Sequence, residues 1–463
     1  MQPAVAGGHP ATVAAGAEIL AEGGTAADAA VGASLASSVA ETVMTGLLGG
    51  GHAIVLDGAT GRVENLDFFV AVPGLGAEPR DIAPIELQVP FGAELVHYAV
   101  GIASCGVPGV PAGLHALWQR YGRLPWPRLV EPALRIARDG VEMLPAHASC
   151  LAMLAPVMTM HEGARIYSPA GRLLETGDRL EQPGLVAALE LVASEGALTA
   201  YEGSLARSLL GLMEERGGLV TSADLATYEV LWSEPVEASG LRAHWLTRAD
   251  LSGVPETLPR LPRFARLAEA DRVVKLATAL AADARDGRVG DTTNLVTADA
   301  AGTICVVTTS LGLGSGDFLP GLDVHLNSML GEADLLRGRL EPGARMHSMM
   351  APSIAFDRDG PALAIGAAGG TRLRSALLQV AAGVLDEGLT ADAAVERPRV
   401  HAAGRRAQLE PGFADETVSG LADAGFEVRV WPSQHHYFGG VSLVTRSGAA
   451  GDPRRSGAAR LLR

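Results

Sequence analysis

The feature that most constrains the fold is a pair of β-prone runs on either side of one turn. The first run, Leu295 to Ala298, follows two adjacent threonines, Thr292 and Thr293, and the second extends from Thr303 to Thr309. Residues 299–302 supply turn-forming side chains between the runs, so the whole stretch predicts an antiparallel hairpin. Residues 312–316 follow and are too rich in glycine for a helix or a strand. The pattern therefore places a threonine at the start of a strand, beside glycine loops.

A threonine in this position has two interpretations. Strands commonly begin with threonine, and on spacing alone this ordinary reading is favoured. The other interpretation is an N-terminal nucleophile, formed when the peptide bond before Thr292 is cut. The freed α-amine can then act as the base for the hydroxyl of the same residue.

Composition and charge limit the class of protein and the kinds of partner that are possible. A chain of 463 residues with 48% hydrophobic and 19% charged residues is typical of a folded protein with two to three domain-sized units. A net charge of −15 argues against nucleic acids and anionic membrane surfaces, because both require clustered Lys and Arg. The one locally basic stretch, residues 454–463, is interpreted as a solvated tail. The sequence has no run of 18 apolar residues, so no membrane-spanning helix is expected.

The cysteines and the N-terminus indicate the compartment. Cys105, Cys150 and Cys305 are an odd number, and their spacing suits neither disulfides nor a metal site. Cys305 lies within an apolar strand and is expected to be a small core residue. The first residues lack the charged and apolar regions of a signal peptide. These features predict a cytoplasmic protein without a metal.

The rest of the chain alternates between helical and β-prone stretches. Residues 11–23 predict a helix, and the capping-box pattern from Thr25 to Asp28 predicts the start of a second one. Residues 145–227 are mainly helical in pattern. Residues 233–290, with four prolines and then a helical pattern from Leu267 to Ala284, are interpreted as a connector. Two short strands, 354–356 and 362–365, precede a long helix from Leu373 to Leu385.

Two glycine-rich loops are candidate binding sites. No lysine follows Gly46 to Gly51, which argues against a nucleotide site there, and a structural role is favoured for the neighbouring His52. Residues 366–371 lie between a strand and a helix, where backbone N–H groups and the helix dipole are available to an anion. That turn suits a phosphate site, an oxyanion hole or simply tight packing.

Taken in order, these segments resemble the γ-glutamyltransferase family of N-terminal-nucleophile hydrolases, from about Gly8 to Gly457. No single motif carries the resemblance; the ordered set does. Its members are Gly8-His9-Pro10, residues 23–30, Gly46 to Gly51, Val107-Pro108-Gly109, Tyr121-Gly122, Pro132-Ala133, residues 137–140, Asp224-Leu225, Tyr228, Thr292-Thr293, Leu326-Asn327, residues 348–352, Gly369-Gly370, Pro398-Arg399-Val400-His401 and Asp452-Pro453-Arg454.

The resemblance implies an α+β fold, a four-layer αββα sandwich, and a proenzyme that cuts its own chain between Asp291 and Thr292. It divides the chain into a large segment, 1–291, and a small segment, 292–463, which stay associated. Thr292 then attacks a small-molecule amide and forms an acyl-enzyme, which water or an amine acceptor releases. No metal or organic cofactor is implied, because the threonine supplies both nucleophile and base.

The resemblance also assigns roles around Thr292. Gly369 and Gly370 match the oxyanion-hole glycines, and Ser310 stands where the family has a threonine that hydrogen-bonds the nucleophile. Glu332 falls at the acidic position that binds the substrate's α-amino group, and Ser348 matches the first of two serines on the carboxylate side.

Three departures concern the substrate. Phe69 occupies the place of the arginine that binds the γ-glutamyl α-carboxylate, Gly312 is nearest to a missing asparagine, and Met349 replaces the second serine. Losing a bidentate guanidinium removes a specific anchor for a carboxylate, so a different and more apolar acyl amide is expected. Arg345, Arg372 and Arg374 are candidates to replace that arginine, although a surface position is favoured for Arg372 and Arg374.

Two alternatives remain open at this point. One is an acylase that acts on a non-glutamyl amide. The other is an uncleaved protein without catalytic activity that binds a small molecule. The sequence leaves the oligomeric state open.

Overall fold

The structure, a computed structural model, describes residues 1–78, 82–91, 94–282 and 291–462. Its helices are α1 Pro10–Ala21, α2 Ala26–Ala40, α3 Val110–Tyr121, α4 Trp126–Asp139, α5 Pro145–Met158, α6 Gly163–Tyr167, α7 Pro183–Glu195, α8 Ser204–Arg216, α9 Ser222–Thr227, α10 Val254–Thr257, α11 Glu269–Ala281, α12 Leu373–Leu385, α13 Ala391–Glu396 and α14 Asp415–Asp423. Its strands are β1 Ala4–Gly7, β2 Gly50–Leu56, β3 Val63–Phe68, β4 Ile85–Phe91, β5 Glu94–Val100, β6 Val141–Glu142, β7 Arg179–Leu180, β8 Leu231–Ser233, β9 Val236–Gly240, β10 Ala243–Thr247, β11 Asp291–Ala298, β12 Ile304–Gly312, β13 Ser353–Asp357, β14 Gly360–Ala368, β15 Val400–Ala403, β16 Arg406–Leu409, β17 Glu427–Val430, β18 Gly440–Thr445, β19 Ala449–Gly451 and β20 Ala458–Leu461.

Two large sheets form the centre of the fold. One has the strand order β20-β1-β11-β12-β2-β3-β8, and the other has the order β19-β18-β14-β13-β10-β9. The predicted hairpin is confirmed as β11 and β12, which pair antiparallel with Val296 opposite Val306. The hairpin lies in the middle of the first sheet, where both strands are buried.

The alternation of side chains along β12 builds two cores. Ile304 and Val306 pack between the two sheets, whereas Cys305 and Val307 pack under the helices that cover the first sheet. This period of two is what a strand buried on both faces requires. Helices α11 and α12 form a third core with the second sheet. The order helix, sheet, sheet, helix confirms the predicted αββα sandwich.

Helix α2 fits closely because its residues are small. It begins at the predicted capping box, in which the Thr25 side chain and the Asp28 side chain bind each other's backbone N–H groups. All fifteen of its residues are buried. A Cβ atom at Gly32 would collide with Ile19 of α1, so the absence of a side chain sets the distance between the two helices.

Strands from both sides of the Asp291–Thr292 bond share the first sheet. β1, near the start of the chain, pairs with β11 on one side and with β20 on the other. Two chains produced by cutting that bond would therefore remain joined by hydrogen bonds on both edges of β1. The division into segments 1–291 and 292–463 itself stays a prediction.

The connector interpretation of residues 233–290 is wrong. This stretch contains the hairpin β9–β10, which extends the second sheet through the pairing of β10 with β13. The helical pattern from Leu267 to Ala284 is present as α11, Glu269–Ala281, which packs against the same sheet. Residues 283–290 of the connector lie outside the described residues. The hairpin turn, Leu241 and Arg242, has φ values of 53° and 63°, a left-handed conformation that normally calls for Asn or Gly. The sequence signal for a hairpin was therefore missing.

The solvated-tail interpretation of the basic C-terminal stretch is wrong for Arg454 and Arg455, which are both buried. Arg454 donates to Glu410 through Nε at 2.7 Å and to Asp452 through Nη1 at 3.2 Å. Arg399, also buried, pairs with Asp452 as well. Opposite charges compensate one another inside the protein, which a count of basic residues does not reveal.

Among the described residues, none of the helices combines the length and the apolar character that a membrane span requires.

Candidate active site

Thr292 lies at an irregularity in the centre of the first sheet. Asp291 pairs with Gly312 and Thr293 pairs with Thr309, so one residue of β11, Thr292, opposes two residues of β12, Ser310 and Leu311. Such a bulge changes the direction of a side chain locally and is common beside active sites. Thr292 is 6% exposed and is therefore buried.

The space around Thr292 brings the two sheets together. Thr292, Asn294, Ala368 and Ser442 line one small void of about 10 Å³, close to the smallest volume that holds a water molecule. Asn294 crosses between the sheets: its Nδ2 donates to the carbonyl oxygen of Gly440, and its Oδ1 accepts from Ser442 N at 2.9 Å. The start of β11 is thereby fixed to β18 and, through the sheet, to β14.

The turn after Ala368 holds the candidate oxyanion-hole glycines. Gly369 and Gly370 have φ values of 124° and 54°, which side chains of L-residues rarely adopt. A short 3₁₀ turn, Gly370–Arg372, leads from there into α12. The turn begins directly after Ala368, which lines the same void as Thr292.

The buried arginine network supports this turn from behind. Arg399 donates to the carbonyl oxygens of Phe438 and Gly439, the latter at 3.0 Å. Gly439 in turn packs on Gly369, since a Cβ atom at Gly369 would lie 2.9 Å from the Cα atom of Gly439. Two of the family-like segments, 398–401 and 452–454, thus contribute to the structure that supports the glycine turn.

We expect Gly369→Ala to lower kcat by about 10²-fold or more, the effect of losing an oxyanion-hole donor. The added methyl group meets the backbone at Gly439, and the left-handed φ disfavours alanine, so the turn must shift. Gly388→Ala is the control, because Gly388 also has a positive φ but its Cβ would meet no atom within 4 Å. Steady-state kinetics that show equal losses in the two variants would contradict this role.

Three other predicted site residues lie near the end of β12. The Ser310 hydroxyl accepts from Gly312 N at 2.8 Å and so closes the turn that leaves the strand. A Cβ atom at Gly312 would lie 2.8 Å from Glu332 Oε1, so the carboxylate of Glu332 is next to Gly312. The structure therefore brings Ser310, Gly312 and Glu332 together beside the bulge.

Phe69 lies in an apolar cluster instead of in an open pocket. It is 1% exposed, stacks on His52 with ring centroids 5.4 Å apart, and packs with Met329, Met346 and Met350. His52 is fully buried, and burial lowers its pKa well below the usual value, so the ring stays neutral. This agrees with the structural role favoured for His52.

Arg345 holds the backbone beside Phe69. Its guanidinium donates to the carbonyl oxygens of Phe69 and Glu229, lies over the Tyr228 ring at 4.6 Å, and is 3.4 Å from Asp67. With these partners, Arg345 is a structural group.

A cavity of about 210 Å³ is lined in part by the glycine turn. Gly370, Thr371, Met349 and Arg374 line it together with Asp250. Ser348 does not line it directly; its backbone N donates to Asp250 Oδ2 at 2.7 Å, and its hydroxyl accepts from Met350 N. Ala368 lines the void at Thr292 and Gly370 lines this cavity, so residues two apart in the chain border the two spaces.

The surface interpretation of Arg372 is wrong. Arg372 is 1% exposed, its Nε donates to the carbonyl oxygen of Tyr437 at 3.1 Å, and its guanidinium lies over the Tyr437 ring. Arg374 is partly buried; it lines the cavity and donates to the carbonyl oxygen of Leu280 at 2.7 Å. Of the three arginines considered as replacements, Arg374 is the one that lines this cavity.

Sequence reasoning missed two residues of the site. Asp250 lies in the stretch that was interpreted as a connector, and its φ of 88° is strained for a residue other than glycine. Glu41, at the end of α2, is completely buried and binds the hydroxyl of Thr293, next to the candidate nucleophile. An isolated glutamate after a small-residue helix gives no signal of such a contact.

Within the described part of the chain, no group of three or more His, Cys, Asp or Glu side chains is arranged to hold a metal ion.

Comparison with known families decides the classification. The Gamma-glutamyltranspeptidase family model matches residues 12–253 and 237–462, which together cover nearly the whole chain. The chain belongs to this family. It is therefore an amide hydrolase or acyl transferase of the self-processing, N-terminal-nucleophile type, as the ordered motifs predicted.

The relatives fall into two groups of activity. The Acylase ACY 1 proenzyme of Pseudomonas sp. (strain SE83) is 29% identical and is aligned over 91% of this chain and 86% of its own length. The Glutathione hydrolase proenzyme of Bacillus subtilis (strain 168) is 25% identical over 98% of this chain and 90% of its own. The crystal structure of cephalosporin acylase from Bacillus halodurans superposes with a TM-score of 0.84 at 22% identity, covering 100% of this chain and 96% of that one, and so shares the fold.

Proposed function

We propose that the protein cleaves its own chain before Thr292 and then transfers the acyl group of a small-molecule amide through an ester on Thr292. The position of Thr292 at a strand bulge, on a void that Ala368 also lines just before the Gly369–Gly370 turn, supports this proposal. The hydroxyl attacks the amide carbonyl, the α-amine moves the proton to the leaving amine, and backbone N–H groups of the turn stabilise the oxyanion. Water or an amine acceptor then takes the acyl group.

The substrate that we propose is an acyl amide without a γ-glutamyl head group. Phe69 and the methionines around it fill the place of the family's carboxylate-binding arginine with buried apolar side chains. An α-carboxylate placed there would lose its water without gaining a guanidinium, which is costly. The carboxylate oxygens of Glu332 remain beside Gly312, but the matching anion site is changed.

The 210 Å³ cavity beyond Gly370 offers a place for the remainder of the substrate. Its lining combines the apolar Met349 with charged groups of both signs, Asp250 and Arg374. A group of moderate size with both apolar and polar atoms suits such a lining. An acylase reaction on a non-glutamyl amide is therefore the specific activity that we favour within the family.

Paired substrates test this proposal. We expect the mature protein to hydrolyse simple acyl anilides with a kcat/KM at least about tenfold above that for a γ-glutamyl anilide, the size of effect expected when one binding group is absent. Phe69→Leu is a control variant that keeps the site apolar and should preserve the preference. A clear preference for the γ-glutamyl anilide would contradict the substrate assignment while leaving the role of Thr292 intact.

We also propose a cytoplasmic location. Its support is the three cysteines, which are buried and form no disulfide.

A further inference from the structure

The buried carboxyl group of Glu41 lies directly behind the candidate nucleophile. Glu41 follows the last residue of α2 and is 0% exposed. Its Oε1 accepts from the Thr12 hydroxyl at 2.6 Å, and its Oε2 accepts from the Thr293 hydroxyl. Among the described residues, these two hydroxyls are its hydrogen-bonding side chains, and neither is charged.

The contact reaches Thr292 through the backbone of β11. Thr293 lies on the face of β11 that is turned toward the helices, as do Leu295 and Thr297. Asn294 and Val296 lie on the opposite face, toward the second sheet. Glu41 therefore holds the strand from the side opposite to the glycine turn.

The turn from Glu41 to Thr45, which follows α2, also holds the neighbouring strand β12. Thr45, four residues after Glu41, shares a hydrogen bond of 2.8 Å with Thr309 of β12. Thr309 is the ladder partner of Thr293. Glu41 and Thr45 thus fix both residues of the last regular pair before the bulge at Thr292.

Gly8 leaves the space that this arrangement needs. A Cβ atom at Gly8 would collide with Glu41 Oε2 and would lie 2.8 Å from the Thr293 hydroxyl. The Gly8-His9-Pro10 segment at the start of α1 therefore has a steric reason to begin with glycine.

Burial raises the pKa of Glu41 to about 7, while the hydroxyls of Thr12 and Thr293 and the charge of Arg455 act in the opposite direction. Arg455 is the charged group that faces Glu41, and Asp452 lines the same void as Arg455 and Thr292. His9 and His147 are close by, but burial lowers their pKa values to about 4 and about 3, so both are neutral at neutral pH.

We propose that Glu41 is a positioning residue: its carboxylate holds Thr293, and through it the backbone of Thr292, in the orientation that catalysis requires. The ionised carboxylate accepts a hydrogen bond from each of the two hydroxyls. The protonated carboxyl group must give up one of these hydrogen bonds or rotate. Because the inference rests on Thr292 as the nucleophile, it deepens the proposed function. The charge of Glu41 then contributes to the pH dependence of turnover.

The test is the pH profile of kcat for the mature enzyme on an acyl anilide, measured for wild type and Glu41→Gln. We expect two ionisations on the acidic side for wild type, one near pH 7 from Glu41. The second comes from the α-amine of Thr292, with an ordinary pKa of about 8. The variant should lose the ionisation near pH 7 and keep a kcat roughly tenfold lower at high pH, a typical cost of disturbing a catalytic group's orientation.

Two threonines of β11 provide a matched pair that does not depend on Glu41→Gln folding. Thr293→Val removes the hydrogen bond to Glu41, whereas Thr297→Val removes a buried bond of 2.7 Å from the same face of the same strand to Ala26 O. We expect Thr293→Val to lower kcat about tenfold and Thr297→Val to leave it within about twofold, because only the first adjoins the nucleophile.

Equal kcat values for the two valine variants, or an unchanged pH profile in Glu41→Gln, would overturn the inference. Thr292→Ala, assayed in parallel, keeps this result separate from the proposed function. If Thr292→Ala retains turnover, the nucleophile assignment fails. If it abolishes turnover while the valine variants behave alike, only the role of Glu41 fails.

Discussion

Thr292→Ala is expected to remain a single chain of full length and to show no turnover. Removal of the hydroxyl removes the group that attacks the preceding carbonyl and later the substrate, so both reactions lose their nucleophile. The variant should still fold, since Thr292 lies at a bulge and its replacement by alanine removes only two side-chain atoms. A denaturing gel with intact mass, together with an acyl anilide assay, measures both effects.

Thr292→Ser is the matched control because it keeps a hydroxyl at the same position. We expect it to cleave and to turn over, more slowly than wild type. Cleavage or turnover that persists in Thr292→Ala would contradict the assignment of Thr292. Loss of activity in both variants, with an intact chain in each, would point to a requirement for the threonine methyl group instead.

Arg454→Met is expected to cause a large loss of stability. It leaves Glu410 and Asp452 buried without their shared guanidinium, in a cluster where Arg454 and Glu410 are 0% and 1% exposed. Asp452 keeps Arg399 as a partner, whereas Glu410 loses its guanidinium. Removing one partner of a buried ion pair typically costs about 3–5 kcal/mol, because the remaining charge, here that of Glu410, is uncompensated. Denaturant unfolding of the mature protein measures the change.

Arg446→Met provides the control for this experiment. Arg446 also pairs with a carboxylate, Asp357, through two hydrogen bonds of 2.6 Å. These side chains are far more exposed, at 39% for Arg446 and 33% for Asp357. We expect about 1 kcal/mol or less, the usual contribution of an exposed pair. Equal shifts in the unfolding midpoints of the two variants would contradict the structural role given to the buried network.

The fold was predictable where local patterns and tertiary packing agree. Helix α12 begins and ends where its pattern predicted, at Leu373 and Leu385, and the β11–β12 hairpin is one of the central pairs. The β9–β10 hairpin was missed because its turn uses Leu241 and Arg242 in a conformation that other contacts must enforce. The residues of the turn themselves therefore do not indicate a hairpin.

The site was predictable only in part, for a related reason. The family resemblance assigns Thr292 and the Gly369–Gly370 turn to one site, which stays a prediction; in the structure Ala368, the residue before that turn, lines the void at Thr292. Glu41 could not be recognised, since its partner Thr293 is 252 residues away and its burial depends on Gly8. The pairing of Arg454 with Glu410, 44 residues apart, was hidden in the same way. Contacts between distant residues decide which charges are structural.

The most direct test of the account is the intact mass and N-terminal sequence of the purified wild-type protein after long incubation. We expect two chains that remain associated until they are denatured, the smaller of which begins at Thr292. A protein that remains one chain of 463 residues, or that breaks at another bond, would contradict the central claim that Thr292 becomes the N-terminal nucleophile.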